Sequence, residues 1–205
     1  MQNFEDKMRQ GGSAAILEAG RFFMKSDPVH ETLRKVTSRL ADLGIPYAVV
    51  GGMALVAHGY DRTTVDVDIL LAAAALDQAQ TSLEGVGFVR AFSGSRSLRD
   101  TTSGVRIEFL IAGQYPGDGK PKPVAFPDPA TVSIEKDGIH YVNLPTLIEL
   151  KLASGMTNPG RLKDLADVQE LIRALSLPAD FATKLDPYVR EEFVKLRAAV
   201  SAESA

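Results

Sequence analysis

The sequence predicts an α+β fold: a mixed sheet flanked by helices, with N-terminal helices before it and a helical C-terminal third after it. Three observations carry this. Central stretches such as "IPYAVVGG" and "TVDVDILL" are short and apolar or strictly alternating, as strands are. Gly- and Pro-rich stretches separate them. After Pro145 the apolar residues recur at helical spacing instead. A chain of 205 residues that is 45% apolar can bury a core as one ordinary domain, or a domain with a helical appendage. The expected division is residues 1–144, an α/β core with its N-terminal helices, and 145–205, a helical region packed on that core.

The elements follow in order. Residues up to about Gly12 are expected as an irregular leader. "SAAILEAGRFFMK" and "PVHETLRKVTSRLADLG" carry helical periodicity, and the second has Ser26-Asp27-Pro28 as a start and Gly44 as a stop. "IPYAVVGG" is a buried strand ending in glycine, and "MALVAH" a short helix closed by Gly59. In "TVDVDILL", Val65, Val67, Ile69 and Leu71 face one way, and Asp66, Asp68 and Leu70 the other. "AAALDQAQTSLEGVG" reads as a helix; "FVRAF", "SRSLRD" and "GVRIEFLIAG" read as strands. "GQYPGDGKPKPVAFPDP" is a loop, and "ATVSIEKDGIHYVNL" a hairpin turning at Lys136-Asp137-Gly138. Three amphipathic helices close the chain: "PTLIELKLASG", "RLKDLADVQELIRAL" and "PYVREEFVKLRAAV".

Composition removes several functions. No cysteine is present, so disulfides, thiolate metal sites and Cys nucleophiles are excluded. A net charge of −3 disfavours generic coating of nucleic acid but leaves room for a local basic groove. The polar N-terminus is not a signal peptide, and no apolar run approaches bilayer length, so a cytoplasmic protein without a membrane partner is expected.

The chemistry centres on Asp66 and Asp68. Two residues apart on a strand, they present two carboxylates side by side. Such a pair is repulsive and costly to desolvate unless a cation lies between, and Mg²⁺ favours one or two carboxylates plus substrate phosphate. For the pair alone, two acids facing water from an edge strand is the commoner reading. Gly51 and Gly52 shift the balance. They join a strand to a short helix, where backbone N–H groups can approach a phosphate; a tight packed turn is the alternative. Glu108 lies opposite Val105, Ile107 and Phe109 on a later strand, beside Arg106. If that strand neighbours Thr64–Leu71, three acids meet and two cations can be held for in-line displacement; otherwise Glu108 and Arg106 form a solvated face. His58 reads as a packed or capping residue.

Val50-Gly51-Gly52, a spacer, and Asp66-x-Asp68, with a later carboxylate on a strand, resemble the nucleotidyltransferase superfamily related to DNA polymerase β. "RTTVDVD" at Arg62–Asp68 is similar to the bacterial minimal nucleotidyltransferases, which include abortive-infection toxins of type IV toxin–antitoxin systems. A lysine-bearing helix followed by Arg161, Lys163, Asp164 and Asp167 also matches that subgroup. The resemblance spans about Ile45 to Arg173. It implies a nucleotidyltransferase-like mixed sheet and transfer of an NMP from an NTP to a hydroxyl acceptor: a protein, a tRNA or a small molecule. An antitoxin would be a further partner. By position, Asp66, Asp68 and Glu108 would bind two Mg²⁺ ions and perform catalysis. Gly51, Gly52, Arg62, Thr64, Lys151 and Lys163 would bind substrate. Lys151 reads equally as a solvated lysine, and for Lys163, Asp164 and Asp167 pairing along an exposed helix surface is favoured. Two other functions remain open: a module that keeps the fold without the chemistry, and a metal-dependent nuclease, which would not need the glycines.

Overall fold

The structure, a computed structural model, describes residues 4–92 and 94–203. Its first segment corrects the expected leader. Phe4–Gln10 (α1) is helical and leads into Gly12–Phe23 (α2). Two pairings account for this. Arg9 reaches Glu5 one turn back, at 2.6 Å, and Lys7 reaches the buried Glu18 on α2 at 3.1 Å. Met8 packs against the core from the same helix. Residues 1–3 of the expected leader lie outside the described residues.

The next helix, Pro28–Asp42 (α3), starts where its signals put it. Asp27 accepts from the backbone N–H groups of Val29 and His30, Pro28 takes the first turn, and Gly44 leaves it at φ 65°. Its apolar stripe of Val29, Leu33, Val36 and Leu40 is buried. Tyr47–Val50 (β1) then runs directly into the short helix Gly51–Ala57 (α4), and Asp66–Leu71 (β2) follows. Leu76–Leu83 (α5) leads to three strands, Phe88–Arg90 (β3), Leu98–Asp100 (β4) and Arg106–Ile111 (β5). After the Gly- and Pro-rich loop come Pro129–Val132 (α6) and the hairpin Ser133–Lys136 (β6) with Ile139–Val142 (β7). That hairpin turns on Asp137 and Gly138, both left-handed at φ 52° and 74°, the geometry a two-residue hairpin turn requires. Leu144–Thr157 (α7), Leu162–Leu175 (α8) and Pro187–Glu203 (α9) complete the chain.

The strands form one mixed seven-stranded sheet in the order β3-β4-β5-β2-β1-β7-β6. Its centre decides the function. β2 and β5 are parallel neighbours over six residue pairs, with Asp66 opposite Arg106 and Asp68 opposite Glu108. β1 lies antiparallel on the other side of β2, and Val50, the last residue before the glycines, is opposite Asp68. Val67, Ile69 and Leu71 are fully buried, as are Ile107 and, nearly so, Phe109 and Ile111. Leu70 is fully buried as well, so the face that carries Asp66 and Asp68 is open only over the first half of β2.

In the C-terminal third, α7 is buried over most of its circumference, and α8 and α9 close over it with Val168, Leu171, Ile172, Val189 and Phe193. Among the described residues no helix is long and apolar enough to cross a membrane.

Candidate active site

The glycines bring two segments closer than any side chain would permit. Gly51 turns the chain at φ 60°, and a Cβ there would lie 1.9 Å from Oδ2 of Asp68. A Cβ on Gly52 would lie 2.6 Å from both Cβ and Oγ1 of Thr64. Thr64 in turn donates its hydroxyl to Oδ1 of Asp66 at 2.8 Å. The pair at Gly51 and Gly52 is therefore a point of contact: it seats the start of α4 directly against the Asp68 carboxylate and against Thr64, which holds Asp66. α4 is only seven residues long, so what it offers here is free backbone N–H groups at short range.

Asp66 and Asp68 point to the same face, and the adjacent β5 brings Glu108 level with Asp68. The three acids line one cavity of about 440 Å³. Their proximity has an electrostatic signature. Burial, followed by the negative charges of Asp66 and Glu108, pushes the Asp68 carboxyl up to about 7. Glu108 is half-exposed, and its Oε2 accepts from Arg106 at 2.8 Å. Among the described residues no group of three or more His, Cys, Asp or Glu side chains is arranged as a ready-made metal site. The donor set nevertheless suits a hard divalent cation. Asp66, Asp68 and Glu108 offer only carboxylate oxygens, the donors such a cation prefers.

The other residues singled out in the sequence line the same cavity: Gly51, Gly52, Arg62, Thr64, Lys151 and Lys163. Their environments differ from expectation. Lys151 is neither solvated nor free. It is buried, and its Nζ donates to Oδ1 of Asp164 and Oδ2 of Asp167, both at 2.7 Å. Arg62 joins from the segment before β2, its Nη1 at 2.7 and 2.8 Å from the two oxygens of Asp167. Ser154 closes the network on Oδ2 of Asp164 at 2.6 Å. Burial opposes ionisation of Asp164, but Lys151 and the Ser154 hydroxyl outweigh it and hold its carboxyl below the usual range.

The surface role favoured for Asp164 and Asp167 is thus corrected: both are buried. Three residues apart, they share one face of α8, and that face packs on α7. The signal was present in the sequence. Lys151 sits in a helix that is apolar nearly all round, and a lysine buried there needs acids. Lys163 alone of that set stays exposed toward the cavity, and burial of its stem with the nearby Arg62 charge lowers its pKa. Sequence reasoning also passed over the Gly- and Pro-rich loop, which contributes Pro116, Gly117 and Phe126 to the cavity wall. Gly117 rests on α7 so closely that a Cβ would meet Thr157 Oγ1 at 2.3 Å. His58 is a packed residue, its Nε2 2.8 Å from the Val142 carbonyl.

No family model matches the chain, and no curated protein matches it in sequence. Solved structures do match. The crystal structure of ANT(2")-Ia in complex with adenylyl-2"-tobramycin is 14% identical, over 85% of this chain and 98% of that one, with a TM-score of 0.51. The solution structure of the same antibiotic-resistance factor covers 84% of this chain and 91% of its own, at 15% identity and a TM-score of 0.51. An antigenic nucleotidyltransferase-like protein from Paracoccidioides brasiliensis is 16% identical over 84% of this chain and 87% of its own, with a TM-score of 0.50.

Proposed function

We propose that this chain, whose fold is that of the nucleotidyltransferases, is a Mg²⁺-dependent enzyme that transfers a nucleoside monophosphate from an NTP to a hydroxyl acceptor. One observation carries the reading: Asp66, Asp68 and Glu108 share an open cavity with Gly51 and Gly52. Asp66 and Asp68 are the residues that would hold the ions, with Glu108 as the third ligand. Held by those three carboxylates, magnesium would supply neutralisation of the α-phosphate and acidification of the acceptor hydroxyl. The chain's own groups do the rest. The N–H groups around Gly51 and Gly52 hold the triphosphate beside the acids. Lys163 and Arg161 supply cations on the helical side of the cavity. Glu108 accepts the acceptor's proton as that oxygen attacks the α-phosphorus; the bond to the β-phosphate breaks and pyrophosphate leaves.

The test is incubation with labelled NTPs, Mg²⁺ and candidate acceptors. Asp66→Ala/Asp68→Ala should lose labelling by about 10³-fold or more, and equal labelling by both proteins would overturn the proposal. Tobramycin, whose adenylyl form is bound in the ANT(2")-Ia complex, and tRNA, which the Arg62–Asp68 resemblance implies, belong in the panel beside proteins. A toxin role with an antitoxin partner is supported by the Arg62–Asp68 resemblance alone; growth arrest on expression, relieved by a co-expressed neighbouring gene, tests it.

A second reading is a nucleotidyltransferase-fold binding module without chemistry. It is favoured by the Arg106–Glu108 pair, which occupies the third acid. Calorimetry with NTP and Mg²⁺ separates the two, since absence of binding favours the module.

A further inference from the structure

Helix α2 turns its polar side to its own molecule. A surface helix normally packs its apolar stripe on the core. On α2 the buried residues are Phe22 and Glu18, and Oε2 of that buried carboxylate has no hydrogen-bond partner. The other large apolar side chains point outward. Ile16 is 75% exposed, Leu17 66%, Phe23 55%, and Met24, the C-cap residue, 71%. Positions 16, 17, 20, 23 and 24 recur at three- and four-residue spacing, so they form one stripe along the helix. Single exposed apolar residues are ordinary, but a contiguous stripe of four marks an interaction site. The stripe is also held in place. Phe22 beneath it is buried against the His30 ring, with centroids 4.7 Å apart, and Phe23 stands edge-on to Phe22 at 5.9 Å.

We propose that this stripe is a homodimer interface, in which α2 packs antiparallel on α2 of a second copy about a two-fold axis at Gly20. The spacing of the stripe makes it self-complementary. With Gly20 facing the partner's Gly20, Ile16 lies across from the partner's Met24 and Leu17 across from the partner's Phe23, and symmetry repeats both pairs. Each large side chain therefore meets a large side chain. Gly20 is exposed, and a Cβ built there would meet nothing within 4 Å, so nothing obstructs a second helix at the crossing point. Antiparallel packing also opposes the two helix dipoles. The area is sufficient. At these exposures the four side chains present about 500 Å² per protomer and about 1,000 Å² in the pair, where specific interfaces begin. A lipid surface suits the stripe less well. Helices that lie among headgroups carry a polar face rich in Lys and Arg, whereas the charged residues of α2 are Glu18 and Arg21, 3.5 Å apart and paired with each other. No stripe residue lines the acid-lined cavity, so the interface is separate from that site.

The experiment is sedimentation velocity on the full chain across a concentration series. A reversible monomer–dimer equilibrium with a micromolar dissociation constant is expected for an interface of this size. Leu17→Glu/Phe23→Glu gathers like charges across the axis and should weaken the dimer about 100-fold or more. Its far-UV circular dichroism should match the wild type, because neither side chain is buried. A second variant fixes the geometry. The chain has no cysteine, so Gly20→Cys introduces a single thiol. Helix axes about 8–10 Å apart put facing Cα atoms within disulfide reach. Mild oxidation should therefore cross-link Gly20→Cys into a dimer, while Ser201→Cys, exposed on α9, should stay uncross-linked. A monomer at every concentration overturns the proposal. A dimer that survives the two glutamates, or that Gly20→Cys fails to cross-link, overturns this interface. A monomer that co-sediments with phosphatidylserine vesicles overturns it too, and gives the stripe to a lipid surface.

Discussion

At the scale of single residues, Gly51 is the most constrained position. A side chain there meets both a left-handed backbone and the Asp68 carboxylate at 1.9 Å. Gly51→Ala should therefore cost about 2–4 kcal/mol, lowering the thermal midpoint by about 4–16 °C in a chain of this size. It should also displace Asp68, so scanning fluorimetry and labelling should fall together. Asp68 illustrates the opposite relation between stability and function. Its carboxyl is pushed up to about 7 by burial and by the acids beside it. Removing that charge should stabilise the metal-free fold above pH 7 while ending its chemistry. Asp68→Asn is expected to raise the metal-free midpoint by about 2–8 °C, roughly 1–2 kcal/mol, with no measurable transfer.

At the scale of elements, the Lys151 network fixes α7 to α8 and both to the segment before β2. Lys151→Ala leaves Asp164 and Asp167 buried together, with Arg62 their main remaining cation. The expected cost is about 3–5 kcal/mol in chemical denaturation; a loss below about 1 kcal/mol would show the pairs to be solvent-screened. This is also where the sequence and the structure part most clearly. The β1–α4–β2 unit was legible because its information is local: apolar runs, two glycines and an alternating strand all lie between Tyr47 and Leu71. The Lys151 contacts span 13 and 16 positions and depend on how two helices dock. Charges spaced three apart on a helix look the same whether that helix faces water or another helix. Helix α1 was missed for a related reason. Its partner, Glu18, lies on α2, and a polar seven-residue stretch carries no period of its own.

For the whole molecule, titration gives a stability profile with two limbs. Asp27, Asp100 and Asp164 are all held below the ordinary 3.8. Burial works against each, but the His30 ring and backbone amides at Asp27, Lys35 and amides at Asp100, and Lys151 at Asp164 outweigh it. Groups of this kind stabilise the fold above the unfolded value, and the contribution is lost as pH falls through 3.8 toward their folded values. Asp68 acts in the other direction. Its folded form binds a proton that the unfolded chain releases, so its contribution improves as pH falls from about 7 toward 3.8. The midpoint of the metal-free protein should rise gently from pH 8 to about 5 and drop below about 4. Asp100→Asn should soften the acid limb, and a profile flat across the whole range would contradict both assignments.

Arg62 precedes β2 in the sheet and Asp167 lies on α8, yet they meet in the wall of the cavity at 2.7 Å. The polypeptide connection at Asn143 is consequently a poor place for scissors. A fragment ending there would keep the Arg62 guanidinium without Asp167, and its complement would carry Asp167 with only Lys151 beside it. Split versions of this protein should fail at that joint.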